Sequence, residues 1–222
     1  EYGAWLHVDG AFGLFAAVSP TTRDLVKGID RAHSVAVDGH KWLNVPYDCG
    51  AAFVHDPELH RGAFVTSAAY LGDEESDRPV FSNRAPEMSR RARSMAVWAT
   101  LRAYGRSGYQ EMVERHLQLA QRLAERVDGE PDLERLAEVP LNVVCFRYRP
   151  SDVDETQLDD LNGRLGQAIL EDGRVYFGTT MYDGKVAFRP AIVNWRTRPE
   201  DVDLIVEATL ELGARLKRAA PT

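Results

Sequence analysis

Two apolar runs near the start of the chain each end in residues that can do chemistry. The first run ends at Asp9, in the sequence Leu6-His7-Val8-Asp9-Gly10-Ala11, and the second is followed by Asp38-Gly39-His40-Lys41-Trp42. In open parallel sheets, ligands bind outside the carboxyl ends of the strands. Asp9 and Lys41 are 32 positions apart in the sequence, but on neighbouring parallel strands we expect them to face one crevice.

A lysine and an aspartate at one sheet edge suit pyridoxal 5'-phosphate (PLP). This cofactor is held as a Schiff base on a lysine amine, and a carboxylate keeps its pyridine nitrogen protonated so that the ring accepts electrons. Each residue alone also has an ordinary interpretation, because an Asp after a strand often caps a turn and a Lys there is often solvated. The combination of Asp9 with His40-Lys41-Trp42 favours a cofactor site.

The surrounding pattern predicts the elements that position these residues. Apolar runs at 5–8, 34–37 and 51–54 are strand-like in length, and the 25 or so residues between the first two can form a helical crossover. Strand, crossover and strand predict an α/β fold with a parallel sheet whose strands are buried on both faces. The aperiodic, acidic stretch 67–86 predicts a long loop, and such loops are usually functional.

The rest of the chain predicts a second, smaller α/β domain with an antiparallel sheet. The expected elements are a helix at 87–127 with a break near 105–108, a strand at 142–148, a helix at 155–170, strands at 175–182 and 185–193 joined by Asp183-Gly184, and a last helix from Pro199 to about Arg218. We place the domain boundary near residue 105, so that 1–105 form one domain and 106–222 the other.

Composition excludes several classes of protein. The 222 residues are 44% hydrophobic with a net charge of −7, which argues against nucleic acid as a partner. No apolar stretch approaches the ~20 residues of a membrane span. Cys49 and Cys145 form no CxxC motif, which favours a reducing, cytoplasmic location. No metal-binding pattern is present. The chain opens without Met directly on an apolar run, and we interpret it as a fragment.

The two clusters, with further stretches along the chain, carry a family resemblance. These stretches are Lys41-Trp42-Leu43, Tyr47-Asp48-Cys49-Gly50, Gly62-Ala63-Phe64, Ala69-Tyr70-Leu71, Arg90-Arg91-Ala92-Arg93-Ser94 and Val143-Val144-Cys145-Phe146-Arg147. Over essentially its whole length the chain resembles the group II PLP-dependent amino-acid decarboxylases. That family includes the aromatic-L-amino-acid, glutamate and diaminobutyrate decarboxylases and has the type I fold of PLP enzymes. The resemblance implies part of the large PLP-binding domain followed by a small C-terminal α/β domain.

The resemblance also implies roles for residues of the first domain. Lys41 would carry PLP, and Asp9 would pair with its ring nitrogen. Ala11 would lie against the ring and leave room for it. His40 would sit beside the cofactor near its phosphate, with Asp38 at the same strand end. The residues that grip the phosphate and stack on the ring in the family lie mostly upstream of this sequence.

Other implied roles concern the reaction and a second subunit. Tyr70 would lie on a mobile loop and protonate the carbanion left after CO2 departs. Tyr47 would reach toward the active site of a second subunit in a homodimer. Arg189 resembles an arginine of the family's C-terminal domain. Apart from the resemblance, Gly178-Thr179-Thr180 lies on a predicted strand and is a candidate to approach the substrate in the assembled enzyme.

The expected function is removal of the α-carboxylate of an L-amino acid to give an amine. The alternatives are another reaction of type I PLP enzymes, such as transamination or aldehyde synthesis, and a non-catalytic, truncated homologue. A tyrosine at position 70 favours decarboxylation over aldehyde synthesis. Because the chain would supply only half of the active site, we expect it to be inactive, or nearly so, on its own.

Overall fold

The computed structural model describes residues 3–65 and 80–219. Contacts within the chain divide it into two compact units. The first comprises the residues up to Ala17 together with Arg23–Gly105, and the second comprises Val18–Thr22 together with the residues from Arg106 onward. The short segment Val18–Thr22 belongs to the second unit, where the Ser19 hydroxyl donates a hydrogen bond to Glu114 at 3.1 Å.

The first unit contains a three-stranded sheet. Its strands, in the order in which they lie side by side, are β1 (His7–Asp9), β2 (Ser34–Asp38) and β3 (Gly50–Val54). Strands β1 and β2 are parallel, as predicted, with Asp9 opposite Ala36. Three short 3-10 helices, Gly13–Val18, Arg23–Val26 and Ile29–Arg31, occupy the connection between them, where the sequence predicted helical structure.

Strand β3 corrects the prediction of a parallel sheet, because it runs antiparallel to β2 with Asp38 opposite Gly50. Only residues 39–49 connect the two strands, whereas a parallel pair needs a crossover of about a dozen residues or more. Burial on both faces was also wrong for the described residues. Strand β2 alternates, with Val35 and Val37 buried, and Phe53 of β3 is 56% exposed.

Two helices follow the sheet. Helix α1 (Pro57–Phe64) begins after Asp56, whose carboxylate accepts hydrogen bonds from the N–H groups of Glu58 and Leu59, a standard N-cap. Helix α2 (Arg93–Asp128) begins six residues later than predicted. It is interrupted at Gly105, where φ is 60° and ψ is −172°. The left-handed φ favours glycine, and the predicted break in this helix is therefore confirmed.

The second unit has a four-stranded antiparallel sheet, as predicted, with its strands in the order β4-β5-β7-β6. The elements in chain order are β4 (Leu133–Arg135), β5 (Phe146–Tyr148), α3 (Glu155–Asp172), β6 (Thr179–Tyr182), β7 (Lys185–Phe188) and α4 (Pro199–Ala219). Strand β4 has no counterpart in the predicted elements. Strands β6 and β7 form the predicted hairpin, and Asp183 and Gly184 at its turn have φ of 48° and 74°, typical of a two-residue turn.

The core of the second unit lies between its helices and its sheet. Four leucine and isoleucine side chains at helical spacing in α3 are buried, as the pattern predicted: Leu158, Leu161, Leu165 and Ile169. Buried Asn162 accepts from the Tyr148 N–H and donates to the Tyr148 carbonyl, both at 2.8 Å, and so fixes α3 against β5. None of the helices within the described ranges is long and apolar enough to cross a membrane.

Candidate active site

Lys41 lies in the turn that follows β2, and its ammonium group has two close neighbours. Nζ is 2.8 Å from Oδ2 of Asp38, the last residue of β2, and 4.2 Å from the centroid of the Phe12 ring. The Lys41 side chain is 26% exposed and that of Asp38 is 30% exposed. The amine is therefore held by a carboxylate and an aromatic face while it remains accessible to a small molecule.

Asp9 lies at the carboxyl end of β1, beside the strand that leads to Lys41. Its Oδ1 accepts a hydrogen bond from the Ala11 N–H at 3.0 Å, an Asx turn that orients the carboxylate. The next residue, Gly10, donates its N–H to the Ala36 carbonyl at 2.8 Å, and a Cβ at position 10 would lie 2.8 Å from that oxygen. Glycine at this position thus allows the two strand ends to approach closely.

His40 is held by the backbone of Cys49 and by two side chains. Its Nδ1 is 2.8 Å from the Cys49 carbonyl oxygen, and because a carbonyl oxygen can only accept, Nδ1 carries the hydrogen and donates. Its Nε2 is 3.6 Å from Asp38 Oδ2. The Tyr47 ring stacks on the imidazole with centroids 4.2 Å apart and 27° between the planes. His40, Asp38 and Lys41, which the sequence placed in one cluster, therefore form a connected set.

An ion pair lies at Asp48, the residue before Cys49. The guanidinium of Arg93 donates to both carboxylate oxygens of Asp48, from Nε at 2.9 Å and from Nη2 at 2.8 Å. Arg91 adds a contact of 3.5 Å. The hydrogen bonds from Arg93 are the largest cause that lowers the pKa of Asp48 to about 2, so this carboxylate is charged at any ordinary pH.

The remaining residues predicted from the sequence lie elsewhere. Tyr70 is outside the described residues. Arg189 follows β7 in the second unit, where its side chain is exposed and its N–H donates to the Gly178 carbonyl at 3.0 Å. Thr179 and Thr180 lie in β6, also in the second unit.

Sequence reasoning missed Phe12 and the Cys49 carbonyl. Phe12 had a signal, because it is an aromatic residue directly after Ala11 in the predicted site. The carbonyl had none, since every residue carries one and only folding brings it to His40. No group of three or more His, Cys, Asp and Glu side chains in residues 3–65 and 80–219 could hold a metal ion.

Comparison with known proteins identifies the family of this chain. Residues 1–149 match the family described as "Pyridoxal-dependent decarboxylase conserved domain". The chain belongs to the pyridoxal-dependent decarboxylase family. The predicted resemblance is thereby confirmed, and so is the fold class, since the rice (Oryza sativa) structure solved as "TDC with PLP and tryptamine" aligns with 97% of this chain at a TM-score of 0.88 and 25% identity.

Curated relatives of this decarboxylase-family chain include enzymes with two different names. Tyrosine decarboxylase 2 of Arabidopsis thaliana is 32% identical over 86% of this chain, and phenylacetaldehyde synthase of Petunia hybrida is 29% identical, also over 86%. The chain spans only 36% and 40% of the lengths of these two relatives. It also spans 45% of the rice chain.

Proposed function

We propose that the protein containing this chain is a PLP-dependent carboxy-lyase that removes the α-carboxylate of an L-amino acid. One observation carries the proposal: Asp9 and the turn with Lys41 lie at the carboxyl ends of adjacent parallel strands. The family match and the relatives named as decarboxylases support it. Bound PLP would supply an electron sink for the bond that loses CO2.

The residues present fit this cofactor. The site offers one accessible amine at Lys41 and one carboxylate at Asp9, which are the two groups that PLP enzymes need for the aldehyde and for the ring nitrogen. Lys41 would hold the cofactor covalently, and Asp9 would keep the ring nitrogen protonated. Ala11, whose N–H is already bonded to Asp9, would present only a methyl group to the ring.

The neighbouring residues would orient the site and move the proton. Asp38 holds the Lys41 amine at 2.8 Å in this structure, and His40, fixed by the Cys49 carbonyl, would flank the cofactor near its phosphate. Tyr70 would donate the proton to Cα of the substrate after CO2 leaves.

We further propose that the enzyme is a cytoplasmic homodimer with shared active sites and no nucleic-acid partner. Tyr47 is 77% exposed as a residue although its ring stacks on His40, which supports a contact with a second subunit. The net charge of −7 argues against a nucleic-acid partner. Both cysteines are free and buried, which suits a reducing compartment.

The second candidate function is aldehyde synthesis. It is favoured by the 29% identity to a phenylacetaldehyde synthase. The two reactions differ in their products, since decarboxylation gives CO2 and an amine, whereas aldehyde synthesis also oxidises the amine carbon by two electrons, and with O2 as the oxidant it consumes O2 and water and gives CO2, an aldehyde, ammonia and H2O2. Tyrosine at position 70 favours the amine, because this residue would protonate Cα and so complete decarboxylation.

The test uses the full-length protein that contains this chain, together with Lys41→Ala and Asp9→Asn variants. Wild-type protein incubated with PLP and a panel of L-amino acids is expected to bind PLP, seen by absorbance, and to release an amine. Lys41→Ala removes covalent PLP binding. Asp9→Asn keeps an oxygen that can accept the Ala11 N–H, so binding persists while turnover falls by about 100-fold or more from the lost charge.

Other outcomes separate the alternatives. Aldehyde and ammonia in place of amine would establish the second candidate. A wild-type protein that binds no PLP, or whose Lys41→Ala variant keeps full activity, would overturn the proposal. A non-catalytic homologue would bind PLP and release no product from any amino acid.

A further inference from the structure

We propose that the ion pair of Asp48 with Arg93 is a positioning pair for His40 and, through it, for Lys41. It acts by holding the backbone of Cys49, which in turn holds the imidazole. The effect on PLP rests on the function proposed above, whereas the effect on His40 does not. Neither Asp48 nor Arg93 contacts Lys41, so both act through other residues.

The ion pair of Asp48 with Arg93 is bidentate. Two parallel N–H···O bonds of 2.9 Å and 2.8 Å join the two side chains, and such bidentate pairs fix geometry as well as adding energy. Arg93 is the first residue of α2, where the helix dipole disfavours a positive charge. Arg93 does not stabilise the helix at this position. Its position is explained instead by its bonds to Asp48 and by Glu87, whose Oε2 lies 3.7 Å from Arg93 Nη1.

The Cys49 carbonyl, in the residue after Asp48, is the acceptor that holds His40. The Cys49 oxygen accepts hydrogen bonds from the Gly39 N–H at 2.9 Å, the His40 N–H at 3.2 Å and His40 Nδ1 at 2.8 Å. A carbonyl has two lone pairs, so three donors converge on it only when its peptide plane is well oriented. This carbonyl belongs to the peptide between Cys49 and Gly50, one residue beyond Asp48, so the bidentate bond of Arg93 to Asp48 restrains its orientation through the backbone of Cys49.

The turn that contains Gly39 and His40 connects the Cys49 peptide to Lys41. Close packing leaves the turn no room to slide, because a Cβ at Gly39 would lie 2.9 Å from Cys49 Sγ. The His40 ring faces Asp38 at 3.6 Å, and Asp38 holds Lys41 Nζ at 2.8 Å. A shift of the Cys49 peptide therefore moves the imidazole first and the carboxylate that holds the amine next.

The chain supplies a matched control for this pair. In the second unit Arg122 grips Asp203 with the same two-bond geometry, at 2.9 Å and 2.6 Å. Asp203→Asn breaks an equivalent ion pair in the second unit. Asp48→Asn leaves Trp42 and Val45, both buried within the same turn region, to keep that region folded.

The experiment compares full-length wild type with Asp48→Asn, Arg93→Lys and Asp203→Asn. Histidine labelled with 15N reports the His40 ring by NMR, assigned with His40→Gln, and absorbance titration gives the Kd for PLP. In Asp48→Asn we expect a changed His40 Nδ1 signal and a PLP Kd raised about 10-fold, the lower end of what second-layer partners contribute in metal sites. Arg93→Lys keeps the positive charge but loses the two-bond geometry of the guanidinium. Its His40 signal and its Kd for PLP should therefore lie between those of wild type and Asp48→Asn. Asp203→Asn should change neither quantity.

Each possible result either supports or overturns one part of the proposal. An unchanged His40 signal in Asp48→Asn, or an equal change in Asp203→Asn, overturns the positioning role. A changed signal with an unaltered PLP Kd overturns the link to Lys41. If wild type binds no PLP, the proposed function fails by itself, and the His40 signal still decides whether the pair positions the imidazole.

Discussion

At the scale of single residues, the surroundings of a side chain decide its chemistry. His40 and His116 show the contrast. His40 is partly accessible and linked to Asp38 and Lys41, whereas His116 in the second unit is fully buried and its Nε2 is 3.0 Å from the Asn194 carbonyl. The complete burial of His116 gives it a structural role. Burial, the largest cause, lowers the pKa of His116 to about 4.

This pKa predicts loss of stability in mild acid. An unfolded His titrates near 6.5, so between pH 6.5 and about 4 the unfolded chain binds a proton that the folded chain does not. The free energy of unfolding should therefore be unaffected by His116 above pH 6.5 and should fall by about 3 kcal/mol as the pH drops to about 4. Urea unfolding of wild type and His116→Gln at pH 8, 6 and 4.5 measures this.

The Gln variant isolates the titration. Its side-chain amide can donate to the Asn194 carbonyl as Nε2 does, but it does not ionise. We expect the urea midpoint of His116→Gln to depend less steeply on pH than that of wild type. Parallel pH dependence of the two proteins would show that His116 is not the group responsible.

At the scale of elements, backbone geometry determines which glycines are needed. Gly184 in the turn between β6 and β7 has φ of 74°, whereas Gly163 lies within helix α3. An added Cβ would meet no heavy atom within 4 Å at either position. Any difference between the two substitutions therefore reports backbone conformation and not packing.

Substituting Ala at these two glycines should change stability in opposite directions. Gly184→Ala forces a side chain into a left-handed conformation and should lower the free energy of unfolding by about 1–2 kcal/mol. Gly163→Ala improves helix propensity at an exposed position and should raise it by up to about 1 kcal/mol. Thermal or urea unfolding of the two variants beside wild type gives both values. Two shifts of the same sign would contradict the backbone argument.

At the scale of the whole molecule, the proposed homodimer would offer Tyr47 two active sites, that of its own chain and that of the second subunit. The Tyr47 ring stacks on His40 of its own chain, yet 77% of the residue is exposed. The proposed homodimer would let the uncovered part reach the site of the second subunit. A tyrosine that serves its own chain and one that serves its partner predict different behaviour in mixed dimers.

Mixed dimers of two inactive variants should regain activity. A dimer of one Lys41→Ala chain and one Tyr47→Ala chain would have one site with both defects and one site with neither, if Tyr47 acts on the partner. Co-expression should then give about a quarter of wild-type activity, because half of randomly paired dimers are mixed and each has one intact site. Activity no higher than that of either variant alone would show that Tyr47 acts within its own chain.

The sequence was sufficient to predict the family and to identify candidate groups for a cofactor site. Asp9 and the His40-Lys41-Trp42 run carry reactive groups whose types do not depend on folding, and the hairpin turn at Asp183-Gly184 and the apolar face of α3 follow from local rules. The family that these residues indicated is confirmed by the match of residues 1–149. The roles of Lys41, Asp9, Ala11, Asp38, His40, Tyr47 and Tyr70 stay predictions.

Only the tertiary structure decided how that site is held. The antiparallel direction of β3 depends on the short connection after Lys41, and a period-two apolar pattern is the same in either direction. The Cys49 carbonyl on His40, the Phe12 ring beside Lys41 and the grip of Arg93 on Asp48 join residues far apart in sequence. Such contacts arise from the folded path of the backbone. Lys41 could therefore be identified from the sequence, whereas the residues that hold Lys41 and His40 in place could be identified only from the folded structure.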